Sequence, residues 1–132
     1  MYKIKKEFNI SSSHRLHNEN WSILENKRVY GKCNNEPSHG HNYKIILTLK
    51  RKELRNDGMV LNFYILKDLF QDVIDDIYDH KFLNTCPGFK GLVPTAENMC
   101  KVFYDRLKEH IPELCVIEIY ETDGASAIYE ED

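Results

Sequence analysis

The chain has 132 residues, 42% hydrophobic and 30% charged, with only 6 Gly and 4 Pro, which excludes a disordered or low-complexity polymer and fits one domain over 1–132. A formal net charge of -3 leaves no basic excess to neutralise a nucleic-acid backbone, so that partner is excluded. The start, Met1-Tyr-Lys-Ile-Lys-Lys-Glu7, alternates instead of forming an apolar run, and no stretch approaches a membrane span; a cytoplasmic location and no membrane partner are expected.

Residues 2–16 read as a strand, because Tyr2, Ile4, Phe8 and Ile10 share one parity that Ser12, His14 and Leu16 continue. Residues 17–38 read as a long irregular loop. A second strand is predicted over 39–50, with Tyr43, Ile45, Leu47 and Leu49 on one face. Asp57-Gly58 marks a turn, and Met59-Val-Leu61 a short strand. A helix follows near 63–78, with Asn62 as N-cap and Leu66, Leu69, Phe70, Val73 and Ile77 at helical spacing. A second helix starts after Thr95, its N-cap, and Pro112 ends it. Residues 114–122 form a strand, Asp123-Gly124 a turn, and Ala127-Ile-Tyr129 a last short strand. This order predicts an α+β fold, two helices on one face of an antiparallel sheet. The sheet's open edges predict edge-to-edge oligomerisation. Four cysteines, at 33, 86, 100 and 115, make no Cys-x-x-Cys pair and read as reduced thiols.

His39-Gly-His41 is the sharpest local feature. Residues two apart on a strand share a face, so these imidazoles point together, and Gly40 leaves the backbone between them open. His14 has the parity of its own strand's apolar face. If the two strands pair, three imidazoles converge, and three protein ligands with one open position is the catalytic zinc pattern. The alternative is two ordinary surface histidines. Cys33 has three readings: a fourth ligand closing a structural zinc site, a reactive thiol beside an open site, or an inert thiol. Asp79-His80 reads either as a solvated helix end or as a proton carrier with an orienting carboxylate. Glu121 ends the apolar parity of Cys115, Ile117 and Ile119, so it either reaches water or needs donor partners, which a heterocycle with an amino group and a ring N–H would supply. Glu97 sits in a first helical turn, where the helix dipole alone accounts for it.

Ser12-Ser-His-Arg-Leu16, Gly31-Lys-Cys-Asn-Asn35, His39-Gly-His-Asn-Tyr-Lys44, Gly58-Met-Val-Leu-Asn62, Asp79-His-Lys81, Thr95-Ala-Glu-Asn98 and Tyr120-Glu-Thr-Asp123 occur in one order along the chain. Together they resemble the 6-pyruvoyl-tetrahydropterin synthase family over essentially the whole length. The resemblance implies a tunnelling fold, in which trimers close their sheets into a barrel and two trimers stack into a homohexamer with active sites between subunits. It implies Zn2+ on His14, His39 and His41, Cys33 as base, and Asp79 and His80 completing the proton-transfer set. It implies Glu121 as the anchor of the pterin ring, with Thr95, Ala96 and Glu97 lining the same pocket. The implied substrate is 7,8-dihydroneopterin triphosphate. An open zinc position is needed for that chemistry, which favours the reactive-thiol reading of Cys33. Arg15, Lys27, Arg28 and Lys32 are candidates for the triphosphate or a solvated basic face.

Within the family, the resemblance points to the pyruvoyl-forming enzymes. Five residues, Asn34 to Ser38, separate Cys33 from His39, and Asn62 stands where the queuosine-pathway 6-carboxytetrahydropterin synthases tend to carry Asp. Glu36 resembles the glutamate of members that make 6-hydroxymethyl-dihydropterin, and it otherwise reads as a solvated loop residue. Outside the enzyme class, the rival reading is a zinc-stabilised oligomeric binding module.

Overall fold

Alternating apolar residues build four strands: β1 (Tyr2–His14), β2 (His39–Arg51), β3 (Leu114–Thr122) and β4 (Ala125–Glu130). In the computed structural model, which describes Met1–Asp132, they form one antiparallel sheet in the order β1-β2-β3-β4. The β1–β2 ladder is unbroken, from Tyr2↔Arg51 to His14↔His39. That register brings Ser12 opposite His41 and His14 opposite His39.

The helices are α1 (Ile23–Tyr30), α2 (Phe63–Phe70), α3 (Asp76–Tyr78) and α4 (Ala96–Lys108), with a π-turn at Gln71–Asp75 joining α2 to α3. Leu66, Phe70, Ile74 and Tyr78 pack with Met99, Phe103 and Leu107 onto Tyr43, Ile45, Leu47, Ile117 and Ile119 in a single core. Each such aliphatic or aromatic side chain stabilises the fold by roughly 1.5–3 kcal/mol relative to exposure. The predicted two-helix layer on one sheet face is therefore present, the first helix being interrupted by the π-turn. No helix is long and apolar enough to cross a membrane.

Three expectations need correction. The stretch 17–38 is not irregular throughout. It holds α1, capped by Ser22, whose hydroxyl accepts from the Glu25 backbone N–H, and a 3-10 turn at Gly31–Asn34. Ile23, Leu24 and Val29 on α1 stay exposed, so no apolar stripe announced the helix. Residues 59–61 form no strand; the Met59 carbonyl closes a turn with the Arg55 N–H, and Val60 alone is buried. Strand β1 stops at His14 rather than 16. Beyond it, the Arg15 N–H donates to the Asn84 side chain and the Leu16 N–H to the Cys33 carbonyl, so the backbone leaves the ladder.

Candidate metal centre

The β1–β2 register forces three imidazoles together on the core face. Their ring centroids lie 4.5 Å (His14–His39), 5.0 Å (His14–His41) and 4.9 Å (His39–His41) apart. Glu121 joins them from β3. One ligand atom from each of the four residues lies within 4.8 Å of every other.

Four ring nitrogens in this group have no hydrogen-bond partner. Both ring nitrogens of His39 and the Nε2 atoms of His14 and His41 are buried without a hydrogen bond. A Glu121 carboxylate oxygen is 3.2 Å from His14 Nε2 and 3.1 Å from His41 Nε2, yet neither contact is aligned as a hydrogen bond. The distances alone suggest ion pairs; the angles do not make them hydrogen bonds. Buried, unpartnered polar atoms are costly. A cation among them would take one nitrogen from each imidazole, so the residues fit a metal ion.

His14 is fully buried, and its Nδ1 lies 2.8 Å from the Pro94 carbonyl. A carbonyl only accepts, so Nδ1 carries the proton and Nε2 keeps its lone pair for a ligand role. Burial, then the neighbouring imidazoles, hold His14 below the usual histidine range, against the Pro94 bond and Glu121, which raise it. Burial and His41 likewise hold His39 down. Neutral imidazoles are the metal-binding form.

Sequence reasoning missed Tyr43, treating it as apolar. It is fully buried, its hydroxyl 3.2 Å from His14 Nδ1. Burial, then the charges of Glu121 and Cys33, push its phenol well up, so it stays protonated. The signal was available: a tyrosine two residues beyond His41, on the same parity, carries a polar tip into the same place.

The other candidates divide. Cys33 lies half-buried in the 3-10 turn, close enough for its charge to act on Tyr43. The turn is pinned: Asn34 is buried, and its amide donates to the Leu16 carbonyl at 2.8 Å. Thr95 caps α4, accepting from the Asn98 N–H at 3.2 Å, and Ala96 is buried while Glu97 is exposed. These residues follow Pro94 directly, so the start of α4 abuts His14.

Asp79 and His80 are placed elsewhere. They lie along the outer edge of β1, where the Ser11 N–H donates to Asp79 Oδ1 (2.8 Å) and the His80 N–H to the Ser11 carbonyl (2.6 Å). Asp79 Oδ2 is 2.7 Å from His80 Nδ1. Burial pushes the Asp79 carboxyl up, but the bonds from Ser11 and His80 outweigh it and hold the carboxyl below its usual range. His80 is 79% exposed and sits at φ 57°, a left-handed conformation uncommon outside glycine. Within one chain this pair does not join the imidazoles. Glu36 is 78% exposed, with Arg15 Nη2 at 3.5 Å. Arg15 and Lys27 line a cavity of about 610 Å³ with His17 and Asn34, whereas Arg28 is held by Glu25 at 2.6 and 3.0 Å.

A sheet-borne group of three histidines and one carboxylate could hold a metal ion, and the turn that carries Cys33 is fixed by its backbone beside it. The sequence profile of the 6-pyruvoyl tetrahydropterin synthase family matches residues 3–132. The chain is 35% identical over 130 residues to human 6-pyruvoyl tetrahydrobiopterin synthase, covering 96% of this chain and 90% of that one. It is 39% identical over 121 residues to the enzyme of that name from Dictyostelium discoideum, covering 90% and 88%. The solved structure of Caenorhabditis elegans 6-pyruvoyl tetrahydropterin synthase superposes with a TM-score of 0.91 at 34% identity, covering 99% and 96%. The chain belongs to the 6-pyruvoyl tetrahydropterin synthase family.

Proposed function

We propose that the protein converts 7,8-dihydroneopterin triphosphate to 6-pyruvoyl-tetrahydropterin with elimination of triphosphate, as a zinc-dependent lyase. The observation that carries this reading is the convergence of His14, His39 and His41 through the β1–β2 register, in a chain of this family. Those imidazoles would hold the ion; three nitrogens on a fixed frame suit Zn2+. Zinc, when bound, supplies Lewis-acid polarisation of the substrate's side-chain oxygens.

The chain's own residues do the rest. Cys33 takes a proton from a side-chain carbon as general base, and His80, oriented by Asp79, carries protons as the ring is reduced while the side chain is oxidised. No external redox cofactor is consumed. Glu121 accepts two N–H bonds from the pterin ring, and Thr95, Ala96 and Glu97 close the pocket beside it. The exposed setting of Glu36 accords with a solvated loop residue rather than a base.

Assembly completes the site. Strands β1 and β4 are the free edges of the sheet. Along β1, residues near Ser11 and Ser13 are already covered by 79–82, which leaves the N-terminal part of β1 for the six residues of β4 from another copy. Antiparallel pairing sets the β3–β4 turn of one copy, with its Glu121, beside Asp79 and His80 of the next. Three sheets joined this way close into a barrel, and stacking two barrels gives a homohexamer. Light scattering at assay concentration is expected to give the hexamer mass, and a monomer would sink this assembly.

The reaction is tested by incubating zinc-loaded protein with the substrate and measuring free triphosphate. Stoichiometric release is expected; none from a folded, zinc-loaded oligomer refutes the elimination.

A further inference from the structure

Lys3, Lys5 and Lys6 crowd the start of β1, and Glu130, Glu131 and Asp132 the end of β4. Glu131 is held by Lys108 at 2.9 Å. Lys3, Lys5, Glu130 and Asp132 are exposed and have no ion-pair partner within the chain. Both segments are free edges of the sheet.

The backbone limits how two copies can join there. Ser11 and Ser13 direct their N–H groups away from β2, to Asp79 and Lys81. The β1–β2 ladder is unbroken, so Lys3, Lys5, Glu7 and Asn9 point theirs outward too. On β4 the Glu131 N–H points inward, to the Cys115 carbonyl, so Ser126, Ile128 and Glu130 point outward. Those outward residues of both strands also share the exposed sheet face, while Ala127 and Tyr129 pack against the core. An antiparallel seam that continues the sheet therefore sets an odd residue of β1 opposite an even residue of β4.

We infer that the acidic end of β4 selects one register of this seam, with Glu130 and Asp132 of one copy opposite Lys5 and Lys3 of the next. The inference rests on the edge-to-edge assembly proposed above and fixes how its edges align. All six residues of β4 then pair with residues 5–10, and the Asp123-Gly124 turn arrives at Ser11, where the cover from 79–80 begins. A shift of two residues towards Ser11 sets Glu7 opposite Glu130, like charges face to face, and drives Ser126 against a Ser11 backbone already bonded. The opposite shift leaves Lys5 facing Ile128 and Asp132 facing nothing. The charges thus act against misaligned edges as well as for the aligned one.

Cross-linking reads the register. In it Lys6 and Tyr129 are a non-hydrogen-bonded pair, with Cα atoms about 4.5 Å apart, within disulfide reach. After oxidation, Lys6→Cys/Tyr129→Cys protein is expected to form covalent oligomers. Lys6→Cys/Ala127→Cys and Lys6→Cys/Glu131→Cys, matched to the two shifted registers, should form none beyond the level of single-cysteine controls. Charge reversal reads the cause. Lys3→Glu/Lys5→Glu is expected to raise the protein concentration at which the assembly dissociates by about 10-fold or more at low salt, and adding Glu130→Lys/Asp132→Lys to the same chain should restore it. Circular dichroism confirms the fold of each variant. Cross-links confined to a shifted pair, or reversal without effect or without rescue, would overturn the inference while the assembly stands. A wild-type monomer in light scattering would remove the assembly itself.

Discussion

Replacing Cys33 by alanine is expected to lower turnover by about 10²- to 10⁴-fold, the usual contribution of a general base, while leaving metal content unchanged. The thiol is outside the group of four donors, so its loss removes no ligand. Its backbone is held independently of its side chain, by the Leu16 N–H on its carbonyl at 2.9 Å and by Asn34 on the Leu16 carbonyl. The variant should therefore fold and assemble normally, and single-turnover rates with metal analysis on the same sample check the split. Retained activity would remove Cys33 from the mechanism and turn attention to Glu36. Loss of metal together with activity would instead make Cys33 a ligand of a closed site.

The second large effect is at His39. A His39→Ala chain is expected to bind metal at least 10- to 100-fold more weakly (about the loss seen even when a ligand's supporting residues are removed) and to lose detectable turnover. Its metal-free stability should scarcely fall. Neither ring nitrogen of His39 has any other partner, so the substitution deletes two unsatisfied buried atoms rather than a bond. Stoichiometric metal in the purified variant would refute the assignment, and thermal melts with and without metal would show whether only the metal-loaded protein is weakened.

The fold and the convergence of the three histidines were legible in the sequence because both depend on strand parity. His14, His39 and His41 share the parity of buried residues on β1 and β2, so pairing those strands was enough to join them. Helix α4 was legible through Thr95 and its apolar stripe. What escaped reading lacked such a period. Helix α1 shows an exposed apolar face with no partner in the chain. The Pro94 carbonyl that fixes the His14 tautomer is a backbone group 80 residues away, invisible to any side-chain pattern. Glu121 was read from parity as a residue for a heterocycle, but the bulge that turns it toward the imidazoles depends on the β3–β4 register, which sequence does not specify. Asp79 and His80 were read as site residues, yet one chain leaves them on the outer edge of β1, bonded to Ser11, because that placement follows from the β1 contacts and not from any side-chain period.

The central claim is the reaction, and product identity tests it most directly. Zinc-loaded protein incubated anaerobically with 7,8-dihydroneopterin triphosphate should yield 6-pyruvoyl-tetrahydropterin by mass spectrometry, with no acetaldehyde. A carboxy-tetrahydropterin with acetaldehyde, a hydroxymethyl-dihydropterin, or no turnover at all by the folded, zinc-loaded protein would contradict it.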